Sequence, residues 1–247
     1  VTQDKAGLGE QTLNKLAEMA LASQLGIVEQ LKVQVKTDLS KLARGEVNFI
    51  AININGLVIQ KFLPSEELQL EINRISVKPR LALIGKIKLT QPSEGTLRVV
   101  ISEENLSRAF NSESFQKHLH QSQIFIENKK LAIHIQKVTF SLLADGNMAL
   151  KSELILDKTG QVQRLAFTAT PRIGANGQEI VLQDVHYLEG KELPPQLTEV
   201  LVAQVSEVLS LRDFDKKGMS RRFQQIDVVA GKLTLQATVH IEQIPSS

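Results

Sequence analysis

The sequence predicts an α+β fold: a strongly curved antiparallel β-sheet wrapped around a long helix, with about three helices and about ten strands. Three observations predict it. Most of the chain alternates apolar and polar residues, the period of a strand with one buried face. The alternation slips phase in two strands, and such slips mark bulges, which bend and twist a sheet until it curls. Helical periodicity is confined to three segments, each followed by strands, which fits one elongated domain over residues 1–247 better than separate modules.

The first helix is expected from Gly9 to Gln24. Leu13, Leu16, Ala17, Met19 and Ala20 give it an apolar stripe, and Gly26 is its stop. The stretch VNFIAININGLVIQKF, Val47 to Phe62, then reads as strand, with Ile50, Ile52 and Ile54 on one face and Ala51, Asn53 and Asn55 on the other. In the next strand Leu68, Leu70 and Ile72 alternate before the phase slips to Ile75 and Val77. Ser102 is a good N-cap for the second helix. Glu103 and Glu104 sit in its first turn, Leu106, Ala109 and Phe110 face inward, and the helix runs towards Leu119.

Leu131, Ile133 and Ile135 slip similarly to Val138, Phe140 and Leu142. Turn signals follow at Asp145-Gly146-Asn147, Lys158-Thr159-Gly160, Ala175-Asn176-Gly177 and Ala230-Gly231-Lys232, and such short loops make neighbouring strands antiparallel. The third helix starts at Pro194-Pro195, where proline is tolerated. Leu197, Val200, Leu201, Val205, Val208 and Leu209 give it an apolar face wide enough for contact on more than one side. The final strand, LTLQATVHI, alternates without a break: Leu233, Leu235, Ala237, Val239 and Ile241 against Thr234, Gln236, Thr238 and His240.

Composition narrows the function. A net charge of +2 argues against nucleic acid as partner. Aromatic residues are 4% of the chain, with no Trp and one Tyr, so platforms for stacking bases or sugars are scarce. With no cysteine there is no disulfide, thiolate metal site or cysteine nucleophile. No segment reads as a signal peptide or membrane span, since the longest uncharged stretch, Val47 to Gln60, is about 14 residues against the roughly 18 a span needs. The expectation is a chain that is soluble or peripheral to a membrane, in a compartment that the sequence does not specify.

The many half-apolar strands need a cover. Where apolar lining exceeds what three helices fill, the remainder is a groove, and a flexible hydrocarbon tail suits it. Each buried methylene is worth about 0.8 kcal/mol, so one acyl chain gives on the order of 10 kcal/mol gross without any polar constellation. Alternating Leu and Ile are more often plain core, and pattern alone does not separate a filled face from an open one. The alternative expectation is therefore a structural or protein-interaction module with a self-filled core.

Three stretches carry a resemblance: GKIKLTQP (Gly85 to Pro92), ISEENLSRAFNS (Ile101 to Ser112) and VVAGKLTLQATVHI (Val228 to Ile241). In succession they resemble the LmeA-like phospholipid-binding family of bacteria, formerly a domain of unknown function, and its cyanobacterial members in particular. The likeness runs through almost the whole chain. It implies a tubular lipid-binding fold, similar to the bactericidal permeability-increasing and synaptotagmin-like lipid-binding modules, and binding of phospholipid. It supplies no catalytic motif. Mycobacterial members look exported, whereas this chain shows no export signal.

The function expected is non-enzymatic binding, with carriage of phospholipid as its extension, in a groove between helices and sheet, with no cofactor. The residues expected to line it are Leu13, Leu16, Ala20, Ile50, Ile52, Ile54, Leu197, Leu201, Val205, Leu233, Leu235 and Ile241. Phospholipid is the expected partner, with peripheral membrane contact through Lys78, Arg80, Phe62 and Leu63. The segment KFLPSEE can place Phe62 and Leu63 on a wedging loop tip, although apolar residues beside turns usually pack inward. Lys216, Lys217, Arg221 and Arg222 read as a basic loop near Gly218.

Other constellations read as bland. His118 and His120 do not share a helix face and lack further ligands. His134, His186 and His240 sit singly on strands. There is no G-x-S-x-G elbow, and the adjacent pairs Glu66-Glu67 and Glu103-Glu104 diverge, so no acid/base or metal site is expected.

Overall fold

The computed structural model describes residues 8–23, 25, 28–78, 88–121, 125–126, 129–130, 133–156, 162–189 and 195–242. The first helix, α1 (Leu8–Ala22), precedes β1 (Gln30–Lys36). A short α2 (Leu39–Ala43) is capped by Asp38, whose side chain accepts from the Lys41 N–H. Then come β2 (Glu46–Asn55), a two-residue pair β3 (Val58–Ile59) and β4 (Leu63–Pro64), and the long strands β5 (Glu67–Ser76) and β6 (Ser93–Ser102).

The predicted second helix is two helices, α3 (Glu103–Phe110) and α4 (Glu113–Gln121). Ser102 caps the first by accepting from Asn105 N–H at 3.1 Å, as expected. The break falls at Asn111 and Ser112. The Ser112 hydroxyl accepts from Phe115 N–H at 3.1 Å and so starts a new helix, while the Asn111 side chain reaches across to Val138.

The small pair β7 (Phe125–Ile126) and β8 (Lys129–Lys130) leads into a meander of β9 (Ile133–Leu142), β10 (Met148–Leu156), β11 (Val162–Ile173) and β12 (Ile180–Glu189). The chain then forms α5 (Pro195–Leu209), a 3-10 turn over Arg212–Lys217, and the hairpin of β13 (Met219–Val229) and β14 (Lys232–Ile241).

All strand pairs are antiparallel. The expected single sheet is instead two main sheets, in the orders β1-β2-β5-β6-β14-β13 and β12-β11-β10-β9, and neither closes into a barrel among the described residues. The C-terminal hairpin completes the first sheet by laying β14 along β6. A continuous hydrophobic cluster links both sheets and α3, α4 and α5. The meander's share of it is densely filled: Phe110 meets Phe115 at 4.4 Å and Phe140 at 4.9 Å between ring centroids.

The phase slips have two different causes. In β9 the register shifts between Glu153 and Leu154 of the partner strand, so both Ile135 and Val138 are buried, which is the bulge expected. In β5 the register runs on unshifted, with Asn73 opposite Phe49 and Ile75 opposite Val47. The slip there coincides with Arg74 at φ 57°, a left-handed residue rather than an inserted one. Turns form at Gly146, Gly177 and Gly231, all at positive φ, where the sequence placed them. The stop at Gly26, the turn at Lys158-Thr159-Gly160 and Arg80 lie outside the described residues.

Candidate functional site

Antiparallel register places side chains directly opposite one another on the same face. In the six-stranded sheet this builds unbroken apolar rows. One row runs Val33, Ile52, Leu70, Leu97, Ala237 and Phe223. The next runs Leu31, Ile54, Leu68, Val99, Leu235 and Ile226. A third begins at Val35 and passes Ile50, Ile72, Gly95 and Val239, then ends on a charge, Arg221.

These rows are not evenly covered. Leu97, Val99, Leu235 and Val239, on the central strands, are at most 3% exposed. Towards β1, however, Leu31, Ile50, Ile52 and Leu70 are half-buried, although Ile50, Ile52 and Leu70 lie on strands paired on both sides. The nearest cover is α1. It contributes only half-buried Leu13, Ala17 and Leu21, and it leaves Leu16 and Met19 exposed. Its polar side chains lie on the sheet edge: Asn14 Oδ1 accepts from Val35 N–H at 2.7 Å and Glu18 Oε1 from Val33 N–H at 3.1 Å. The helix is a strap along β1, and Leu31, Ile50, Ile52 and Leu70 beside it are only partly covered, while Val33, Val35, Ile54, Leu68 and Ile72 in the same rows are buried.

The sequence-predicted lining residues divide accordingly. Ile50 and Ile52 belong to the partly covered strip, with Leu13 and Ala20 half-buried on α1. Leu16 points away from the sheet face, 59% exposed. Ile54, Leu197, Leu201, Val205, Leu233, Leu235 and Ile241 are buried in the cluster, at 0–4% exposure. The helix α5 buries Leu197, Thr198, Leu201, Gln204, Val205, Val208 and Leu209, while Val200 is half-buried and Glu199 and Ala203 are exposed, and Tyr187 Oη donates to Thr198 Oγ1 at 3.0 Å to fix it against β12.

The expected membrane contacts are rearranged. Leu63 is fully buried and Phe62 is half-buried with its ring edge-on to Phe115 at 5.4 Å, so this turn packs inward and offers no apolar tip. Lys78 is exposed. The basic loop is corrected at Arg221: the strand starts at Met219, and pairing opposite Val239 turns the Arg221 side chain inward until 1% of it is accessible. An open cleft of about 280 Å³ lies between the Asp145-Gly146 turn, residues 170–172 of β11 and residues 226–229 of β13, and none of the predicted lining residues borders it. Among the described residues no cluster of His, Asp and Glu is placed to hold a metal ion, and no helix is long and apolar enough to cross a membrane.

Leu70 was legible as a member of an alternating strand but not as half-covered, Leu31 and its strand were not singled out, and Arg221 carried no signal beyond its charge. A model of the LmeA-like phospholipid-binding family matches residues 4–238, nearly the whole chain. No curated protein and no solved structure matches it.

Proposed function

The chain belongs to the LmeA-like phospholipid-binding family, and from that premise we propose that it binds phospholipid acyl chains on the inner apolar face of its six-stranded sheet, as a carrier rather than an enzyme, within one lipid-binding unit. The observation that carries the reading is the half-open strip of Leu31, Ile50, Ile52 and Leu70, flanked by α1. Apolar surface left open on interior strands is unfavourable in water, and a hydrocarbon tail laid on it recovers about 0.8 kcal/mol per methylene. The tail has the rest of the row system to extend along once side chains such as Leu97 and Leu235 shift. Access requires that α1 swing from the edge, where hydrogen bonds from Val33 and Val35 to its Glu18 and Asn14 side chains and half-buried contacts help hold it. Peripheral contact with a bilayer, in which Lys78 takes part, is the natural loading step.

The test is retention. Purified protein is incubated with phosphatidylglycerol vesicles, separated from them, and analysed by native mass spectrometry and lipid extraction. Retained phospholipid at about one per chain is the expected result. Recovery of protein without lipid, from vesicles of several headgroups, removes the proposal.

The meander half favours a second reading for its own part of the molecule. Its interior is filled by Phe110, Phe115, Phe140 and Phe167, all at most 2% exposed, so that half serves as a structural support and not as a tail site.

A further inference from the structure

A buried arginine on an otherwise apolar face needs an explanation, because desolvating a guanidinium is costly unless its donors are matched. Arg221 is in that position. It closes the row that starts at Val35, beside Val239 and with Phe223 on the same face, and its guanidinium stands 5.5 Å from the Phe223 ring. Its side chain is 1% exposed.

Its donors are incompletely matched. One Nη1 hydrogen goes to Asp215 Oδ1 on the 3-10 turn, and Asp215 itself is half in water, at 50% exposure. One Nη2 hydrogen reaches the Gln178 carbonyl at a long 3.3 Å. The Nε–H is buried and has no hydrogen-bond partner. The Nε and Nη2 edge of a guanidinium is the fork that two oxygens of a phosphate accept side by side.

We infer that Arg221 receives the phosphate of the bound lipid on its Nε and Nη2 edge, in place of the long Gln178 contact and beside Asp215 on Nη1, while the acyl chain runs from Val239 towards Ile50. This deepens the proposed function and rests on it. The dimensions agree. Strands are spaced about 4.8 Å apart, so Arg221 on β13 stands roughly 14 Å from β5 and 19 Å from β2 across the sheet. One leaflet of a bilayer core is about 15 Å deep. A phosphate at Arg221 therefore puts the end of the tail near half-buried Ile50, once the buried Val239 and Ile72 side chains along the row give way. An anion also supplies what Asp215 supplies only in part: a charge partner for a cation already held out of water.

The test compares phosphatidylglycerol with diacylglycerol of the same chains, each offered in neutral carrier vesicles, and inorganic phosphate alone as a control, on wild type, Arg221→Gln and Asp215→Asn. Folding of each variant is checked by circular dichroism. Arg221→Gln is expected to lower the retention ratio of phosphatidylglycerol to diacylglycerol about ten-fold. Asp215→Asn is expected to raise it, because the carboxylate that partly neutralises the guanidinium through Nη1 is gone, and this variant decides the matter if Arg221→Gln does not fold. Inorganic phosphate alone is expected to give no thermal shift at concentrations where the lipid does. The inference is overturned if Asp215→Asn leaves the ratio unchanged, if both lipids respond alike, or if inorganic phosphate shifts the protein as the lipid does. Wild type that retains neither lipid overturns the lipid-binding reading itself, whereas wild type that retains both, with variants unaltered, overturns only the role of Arg221.

Discussion

Asn111 pairs with Val138 as a neighbouring strand would: its Oδ1 accepts from the Val138 N–H at 2.8 Å and its Nδ2 donates to the Val138 carbonyl at 2.6 Å. One turn earlier on α3, Ser107 Oγ accepts from Phe140 N–H at 2.9 Å, and one turn before that Glu103 Oε2 accepts from Leu142 N–H at 2.9 Å. Four residues of helix rise about 6 Å and two of strand about 6.7 Å, so alternate N–H groups of an edge strand match every fourth helical side chain. The same device recurs on β1, where Asn14 and Glu18 take Val35 and Val33. Both sheets thus have an edge closed by a helix, which removes a site for unwanted strand pairing.

Replacing Asn111 by Ala strands both polar groups of Val138, a residue 1% exposed. A loss of roughly 1–3 kcal/mol is expected in urea unfolding. Asn111→Asp is expected to be no better, because a carboxylate oxygen then faces the Val138 carbonyl.

The α1 strap predicts a local effect. Val33 and Val35 carry the outward N–H groups of an edge strand, yet their amides are expected to exchange slowly while α1 is docked. In Asn14→Ala the Val35 amide loses its acceptor and exchanges faster than its neighbours, read by hydrogen-exchange NMR. Unchanged protection at Val35 would show that α1 does not hold the edge.

Stability and lipid retention separate at two apolar positions. Leu201, 2% exposed, sits in the filled core, and Leu201→Ala is expected to cost about 2–5 kcal/mol. Ile52 is half-buried on the partly covered strip. Ile52→Glu is expected to abolish lipid retention, with a loss of stability smaller than that of Leu201→Ala.

Gly95 has a tight surrounding. A Cβ there meets the Glu71 carbonyl oxygen at 2.3 Å and Ile72 Cγ1 at 3.2 Å. Because the nearer atom is backbone, Gly95→Ala is expected to destabilise by roughly 1–3 kcal/mol, measured by thermal and urea midpoints.

Two aspartates shape the acid limb of stability. The Ser40 hydroxyl and then the Lys41 N–H hold the Asp38 carboxyl below its ordinary range, and the Asn147 N–H and side chain do the same for Asp145. A pKa depressed in the folded state stabilises fully above the unfolded value, and that contribution is lost as pH falls through the folded one. Urea midpoints should therefore fall as pH drops below the ordinary aspartate pKa of about 3.9, and Asp38→Ala should flatten part of that slope. An Asp38 carboxyl that titrates by NMR at its ordinary value would contradict this.

By itself the sequence determined several of the strands, among them the alternating faces of the last one, together with the Ser102 cap and three of the glycine turns, but it did not single out β1 or β6 and it placed Ala51 of β2, which is buried, on the wet face. The legible features depend on neighbours a few residues apart: the period of two, a hydroxyl three residues before its N–H, a residue able to take positive φ. It also carried the succession of stretches that resembles the family. Tertiary structure alone decided which inward faces are filled. Ile52 and Leu235 read identically as alternating apolar residues, yet one is only half-buried and the other is 1% exposed. The difference lies in which strands and helices arrive from far along the chain, and no local period encodes it. Arg221 is the same lesson in charge: only its pairing with Val239, on the last strand, turns a surface-looking cation into a buried one.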